Sequence, residues 1–270
     1  MREQIDAAVE ALERLAARQP DSPGVWSLSR RGEVVELVLQ HPSARNAVSV
    51  SMMASFARCM RQLWQDPPGF VVLRSEPSSV FCAGGYLPEV SALLVEPDAA
   101  RVMTTVFGAA LDWVRQGPWV SFAAVEGAAI GGGAELALAA DVVVMGPSAF
   151  LEFRQVPLGV VAGWGGARRL VARVGAARAL EVMLGALRMD GPSSLAAGLC
   201  DVVDPDPRAW VDARVLAWSQ RPPAARAALK AQITAAVAKD LVGEAEAFLS
   251  VWGASAHLDA LARWASRTER

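Results

Sequence analysis

Residues Val125 to Asp141 read V-E-G-A-A-I-G-G-G-A-E-L-A-L-A-A-D, and the parsing of this run decides the architecture. The apolar residues Ser121 to Val125 just before it predict a strand. That strand feeds Gly131, Gly132 and Gly133, after which Ala134 to Ala140 carry high helix propensity. Glycines at a strand-to-helix turn let the backbone come close to a ligand, and a helix start offers N–H groups without intrahelical acceptors. The positive end of the helix dipole adds to them, which suits an anion or an oxygen that gains charge during a reaction. Glu135 is expected in the first helical turn, beside whatever those N–H groups hold. Taken alone, the same turn could also serve only the packing of strand on helix.

Outward from this run, strands alternate with helices. Val34 to Leu39 predicts a strand broken at His41-Pro42-Ser43, and Ser49 to Trp64 has helical periodicity. Phe70 to Leu73 predicts a buried strand that leads into a second glycine loop, Phe81-Cys82-Ala83-Gly84-Gly85-Tyr86. Arg101 to Val114 predicts a helix, Asp141 to Met145 a strand, and Gly163-Trp164-Gly165-Gly166 opens a further helix through Arg168 and Leu170. From Ala176 onward the pattern is helical, with one helix starting at Pro222-Pro223 and another spanning Trp252 to Trp264. The alternation implies an α/β fold with a largely covered sheet. Ile5, Val9, Leu12 and Leu15 mark an amphipathic N-terminal helix. The chain divides into that helix and its linker over 1–24, a core over 25–195 and a helical C-terminal region over 196–270.

Composition bounds the function. The 270 residues are 53% hydrophobic and 20% charged, enough for one large core with apolar surface left for subunit contacts. A formal net charge of −2 provides no basic field for nucleic acid. Cys59, Cys82 and Cys200 form neither a metal pattern nor a disulfide framework, so no metal is expected and a reducing compartment is. The stretch Met1 to Gln19 is charged without an apolar core, so no signal peptide is expected there, and the apolar tract Val120 to Met145 is interrupted by charges and glycines. A cytoplasmic protein without a membrane partner is the expectation. His41 and His257 are far apart and predict surface positions, not a catalytic triad or metal site. The glycine turns lack the spacing of dinucleotide or phosphate loops.

Four segments in order carry a resemblance: Pro42 to Ala47 with Asn46, Phe81 to Tyr86, Gly131 to Leu136, and Arg154 to Gly166. No one of them is specific, but in this order and spacing they resemble the crotonase (enoyl-CoA hydratase/isomerase) superfamily, across about Val25 to Ala235. The resemblance implies a repeated ββα spiral with a helical C-terminal trimerisation region, assembled as a homotrimer or dimer of trimers. It implies that the N–H groups of Gly85 and Gly132 form an oxyanion hole around a thioester carbonyl. The substrate would be carried on CoA or an acyl carrier protein, with no bound cofactor. CoA would follow the loops of Asn46 and Ala83. Lys230 is a possible phosphate contact, or a solvated helix lysine.

Family hydratases use two glutamates to handle water. Glu135 matches the first, but Gln155 stands at the second, and an amide does no acid–base chemistry at neutral pH. Decarboxylation of a 2-carboxyacyl thioester needs the oxyanion hole and one later proton donor. With Trp164 in the glycine turn, the run Gly165-Gly166 through Leu184-Gly185-Ala186-Leu187-Arg188-Met189-Asp190 resembles the ethylmalonyl-CoA decarboxylase branch, in which the second glutamate is replaced, there by His. Catalytic roles are thus expected for Gly85, Gly132, Glu135 and Tyr86, and substrate contacts for Asn46, Ala83, Gln155, Trp164 and Arg154. Tyr86, where the family places Asp, could donate a proton or hydrogen bond, or plug the pocket. Arg154 could pair with a substrate carboxylate or face solvent. A hydratase or isomerase working through Glu135 alone and a silent CoA-binding or partner-stabilising subunit are the competing readings.

Overall fold

The computed structural model describes residues 1–259 apart from 20, 78, 94, 95, 97, 253 and 257. Its strands are β1 (Val25–Arg31), β2 (Val34–Gln40), β3 (Phe70–Ser75), β4 (Val80–Cys82), β5 (Val120–Val125), β6 (Ala128–Ile130), β7 (Val142–Met145), β8 (Phe150–Glu152), β9 (Arg188–Asp190) and β10 (Val202–Val203). Its helices are α1 (Arg2–Ala16), α2 (Val50–Gln65), α3 (Leu87–Leu93), α4 (Ala99–Arg101), α5 (Phe107–Gln116), α6 (Gly132–Ala137), α7 (Gly166–Leu184), α8 (Gly191–Ala197), α9 (Pro207–Ser219), α10 (Pro223–Ala238) and α11 (Leu241–Leu249).

The strands form two sheets. One is six-stranded in the order β1-β2-β3-β5-β7-β10, and the other is four-stranded in the order β4-β6-β8-β9. β1 and β2 form an antiparallel hairpin at the edge of the first sheet, and β2, β3, β5, β7 and β10 run parallel. β4, β6 and β8 also run parallel, and β9 closes the second sheet antiparallel to β8. Successive pairs β3–β4, β5–β6 and β7–β8 therefore give one strand to each sheet before the chain returns, mostly through a helix.

At β3, β5 and β7 the first sheet is covered on both faces, which explains the apolar runs of these strands. Side chains alternate across a strand. Val71, Leu73, Ala123, Val125, Val143 and Met145 enter the main core with α1, α2 and α5, while Phe70, Val72, Phe122, Ala124 and Val144 pack against Val211 and Val215 of α9. The single helix expected over Arg101 to Val114 is interrupted: Val102–Val106 is a π-helical turn that leads into α5. The helix expected over Trp252 to Trp264 lies largely outside the described residues, as does His257. No helix among the described residues is long and apolar enough to cross a membrane.

Candidate active site

Three neighbouring strands of the second sheet end at the same edge. The loop after β4 holds Ala83 to Tyr86, the turn after β6 holds Gly131 and Gly132, and the segment after β8 holds Arg154 and Gln155. Residues distant in sequence thus meet at the carboxyl ends of parallel strands, the usual position of a ligand in such sheets.

Backbone geometry there frees two N–H groups. Val48 forms a parallel bridge to Gly85, donating to Gly84 O at 2.7 Å and accepting from Tyr86 N at 2.9 Å. In a parallel bridge the central residue points its own N–H the other way, so the Gly85 N–H is directed away from Val48. Gly132 begins α6, where the N–H has no intrahelical acceptor. Among the described residues neither N–H has an acceptor. The loops approach closely: a Cβ on Gly84 would lie 3.3 Å from the Gly132 nitrogen. Gly84 at φ +97° and Gly131 at φ +55° adopt backbone that favours glycine.

Trp164 packs on the side of both glycines where a side chain would project. A Cβ on Gly132 would be 2.2 Å from the indole Cζ3, and one on Gly85 would be 3.8 Å from its Cζ2. The indole meets Phe107 edge-on with ring centroids 5.1 Å apart. Surface concavities beside Arg2, Arg61 and Trp64, and beside Arg226, exclude Gly85, Gly132 and Glu135. The indole fills the space where a side chain on Gly132 would project.

Glu135 is 2% exposed. Its Oε2 accepts the N–H groups of Trp164 at 2.7 Å and Gly166 at 2.8 Å, and its Oε1 accepts Gln155 Nε2 at 2.9 Å. Burial pushes the carboxyl above its ordinary value, against the pull of those three donors and of the Arg169 charge. Arg169 lies behind it, donating to Trp164 O at 2.6 Å and to Asp112 Oδ1 at 2.8 Å, and fixing the turn that holds Trp164. Sequence reasoning missed Arg169 and Phe107, because only the fold brings α5 and α7 to this turn.

The remaining expected residues sort differently. Ala83 lies in the loop with its N–H bonded to Arg45 O at 3.1 Å. The Asn46 side chain is fully buried and bonded to His41 N, Pro77 O and Val80 O. It braces the loop and does not reach toward a ligand. Arg154 is 59% exposed at its side chain and pairs with Glu152 at 3.2 Å, which leaves the solvent-facing alternative. Tyr86 sets its ring edge-on to His41 with centroids 5.1 Å apart. His41 is no surface residue: it is 3% exposed, and its Nδ1 carries a hydrogen bonded to Ala47 O at 2.7 Å. Lys230 is neither solvated nor free, being 7% exposed and paired with Asp141.

Among known proteins, the family model described as enoyl-CoA hydratase/isomerase matches residues 29–259. The ethylmalonyl-CoA decarboxylase of Xenopus laevis is 32% identical over 240 residues, covering 85% of this chain and 79% of that one. The crystal structure of an enoyl-CoA hydratase from Polaromonas sp. JS666 aligns with TM-score 0.79 at 27% identity, covering 90% of this chain and 98% of that one. An enoyl-CoA hydratase from Bacillus anthracis aligns with TM-score 0.82 at 24% identity, covering 90% of this chain and 96% of that one, a likeness of fold. With the glycine turns, Glu135 and the two-sheet spiral in agreement, the chain belongs to the enoyl-CoA hydratase/isomerase family, the crotonase superfamily.

Proposed function

We propose that the protein decarboxylates a 2-carboxyacyl-CoA thioester. The observation that carries this reading is the pairing of one buried carboxylate, Glu135, with an amide, Gln155, where two-carboxylate water chemistry would need a second acid. Similarity to ethylmalonyl-CoA decarboxylases supports it. The thioester oxygen is held by the Gly85 and Gly132 N–H groups. The bond from Cα to the carboxylate breaks, its electron pair forms the enolate, and carbon dioxide leaves. Each N–H aimed at the enolate oxygen contributes about 3 kcal/mol of barrier lowering. Glu135 then gives its proton to Cα, so one proton is consumed overall.

The apolar wall of Trp164 and Phe107 favours the step, because a carboxylate placed there loses hydration that neutral carbon dioxide does not need. The flanking arginines do not compensate it: Arg154 is paired outside with Glu152, and Arg169 is committed to Trp164 O and Asp112. We propose further that the protein works as a homotrimer or dimer of trimers, since Leu180, Leu184, Leu216, Ile233 and Val237 expose apolar surface on α7, α9 and α10.

Mass spectrometry of methylmalonyl-, ethylmalonyl-, methylglutaconyl- and crotonyl-CoA after incubation with the protein tests the reaction. Loss of carbon dioxide from a malonyl-type thioester is expected. Hydration of crotonyl- or methylglutaconyl-CoA with the malonyl-type substrates untouched would overturn the reading, as would no turnover of any.

A further inference from the structure

Gln155 is only half satisfied. Its Nε2 donates to Glu135 Oε1 at 2.9 Å, while its own Oε1 is buried without a hydrogen-bond partner. The amide lies beside the glycine turn, where a Cβ on Gly131 would be 3.9 Å from Nε2. A buried acceptor left unpaired beside a reacting group calls for a cause.

The carboxyl of Glu135 supplies one. Its Oε2 is engaged by the backbone N–H groups of Trp164 and Gly166, which donate and cannot accept. A proton on Oε2 would face two donors, so the proton of the neutral acid belongs on Oε1, the oxygen that faces Gln155. There the present partner is wrong for an acid, because an NH₂ group cannot accept an O–H. A side-chain amide holds a donor and an acceptor at the same reach, exchanged by a half-turn about Cγ–Cδ.

We propose that Gln155 is a reversible positioning partner of Glu135: it donates through Nε2 to the carboxylate and, turned over, accepts the Oε1–H of the acid through its own oxygen. Oε1 is then the atom from which the proton leaves. On transfer, the enolate electron pair forms the new Cα–H bond, the O–H electrons stay on Glu135, and the amide turns back to donate. Solvent restores the proton. The destination of the proton rests on the decarboxylase reading; the relation of amide to carboxyl does not.

Neutron diffraction from deuterium-exchanged crystals of the ligand-free protein, at one pH above and one below the Glu135 transition, tests it directly. The amide nitrogen should face Glu135 above the transition. Below it, a deuteron should sit on Glu135 Oε1 with the amide oxygen facing it. The amide nitrogen facing Glu135 at both pH values, or a deuteron on Oε2, would overturn the proposal. In solution, Gln155→Leu removes donor and acceptor together and should lower kcat by roughly tenfold with KM unchanged. An unchanged kcat, or an effect confined to KM, would count against the assignment. If the wild type turns over no thioester, the decarboxylase reading fails and diffraction alone decides the role of Gln155.

Discussion

Glu135 Oε2 accepts the N–H of Gly166 at 2.8 Å, so the carboxylate beside the two free glycine N–H groups also closes the N-terminus of α7. One side chain therefore joins the candidate site to the packing of a long helix, so its protonation state bears on stability as well as on the proposed chemistry.

Burial raises the folded-state pKa of Glu135 above the ordinary 4.5. A carboxyl whose folded pKa is raised stays neutral in the folded chain after the unfolded chain has ionised, so the fold loses stability as pH rises through that window. Glu135→Gln carries no such charge. Its melting temperature relative to wild type should climb from about pH 4.5 through the folded pKa and then level off, as calorimetry across pH would record. A wild type that gains on the variant with rising pH would mean that the three N–H donors outweigh burial. Turnover by the wild type should fall as pH rises through the same transition, as the acid form is lost.

The fold and the site differ in how much of them could be read from the chain. Gly131, Gly132 and Glu135 were legible because strand, turn and helix follow one another within a short run, and each leaves its own local pattern. β2, β3, β5 and β7 were legible as apolar runs. β4, β6, β8 and β9 were not, because three-residue strands are too short to carry a period. β1 was missed because its outward residues, Ser27, Ser29 and Arg31, sit on an edge hairpin and read as loop. The burial of His41 depends on the left-handed residues Arg45 and Asn46, which fold the carbonyl of Ala47 back onto its ring. That of Lys230 depends on Asp141, which only tertiary structure brings near. Long-range contact, not local propensity, decided both.

Gly132 and Trp164 should behave as one unit. The methyl of Gly132→Ala would overlap the indole, at 2.2 Å from Cζ3, and push it out of the apolar wall. Turnover should drop by about a hundredfold, within the range seen when oxyanion-hole geometry is lost. Adding Trp164→Ala relieves the overlap, so the double variant should lose much less than the sum of the single losses. Strictly additive losses in kcat/KM would show that the ring and the glycine act independently.

The thiols should be silent in the folded protein. Burial pushes Cys82 up to about 12, and Cys59 and Cys200 up to about 11, so almost no thiolate is present near neutrality. A thiol-specific reagent should label none of the three native cysteines on a timescale of minutes and all three after denaturation. Rapid native labelling of Cys82, which is fully buried beside the Gly84 loop, would reveal opening of that loop.

Lys230→Met separates a structural from a ligand-binding lysine. Asp141 holds Lys230 in the buried pair, and also accepts from Ser121 N at 2.9 Å and Ser121 Oγ at 2.8 Å, with Arg115 Nε at 3.8 Å. Removing the lysine leaves the aspartate only partly compensated, at a cost on the order of 2 kcal/mol. The melting temperature should therefore fall while KM for an acyl-CoA is unchanged. A lysine that contacts the CoA phosphates gives the reverse: in the variant, a raised KM with a weaker salt dependence than the wild type's, and an unchanged melting temperature. The buried pair with Asp141 favours the first result, because a side chain already neutralised inside the fold has little charge left to offer a phosphate.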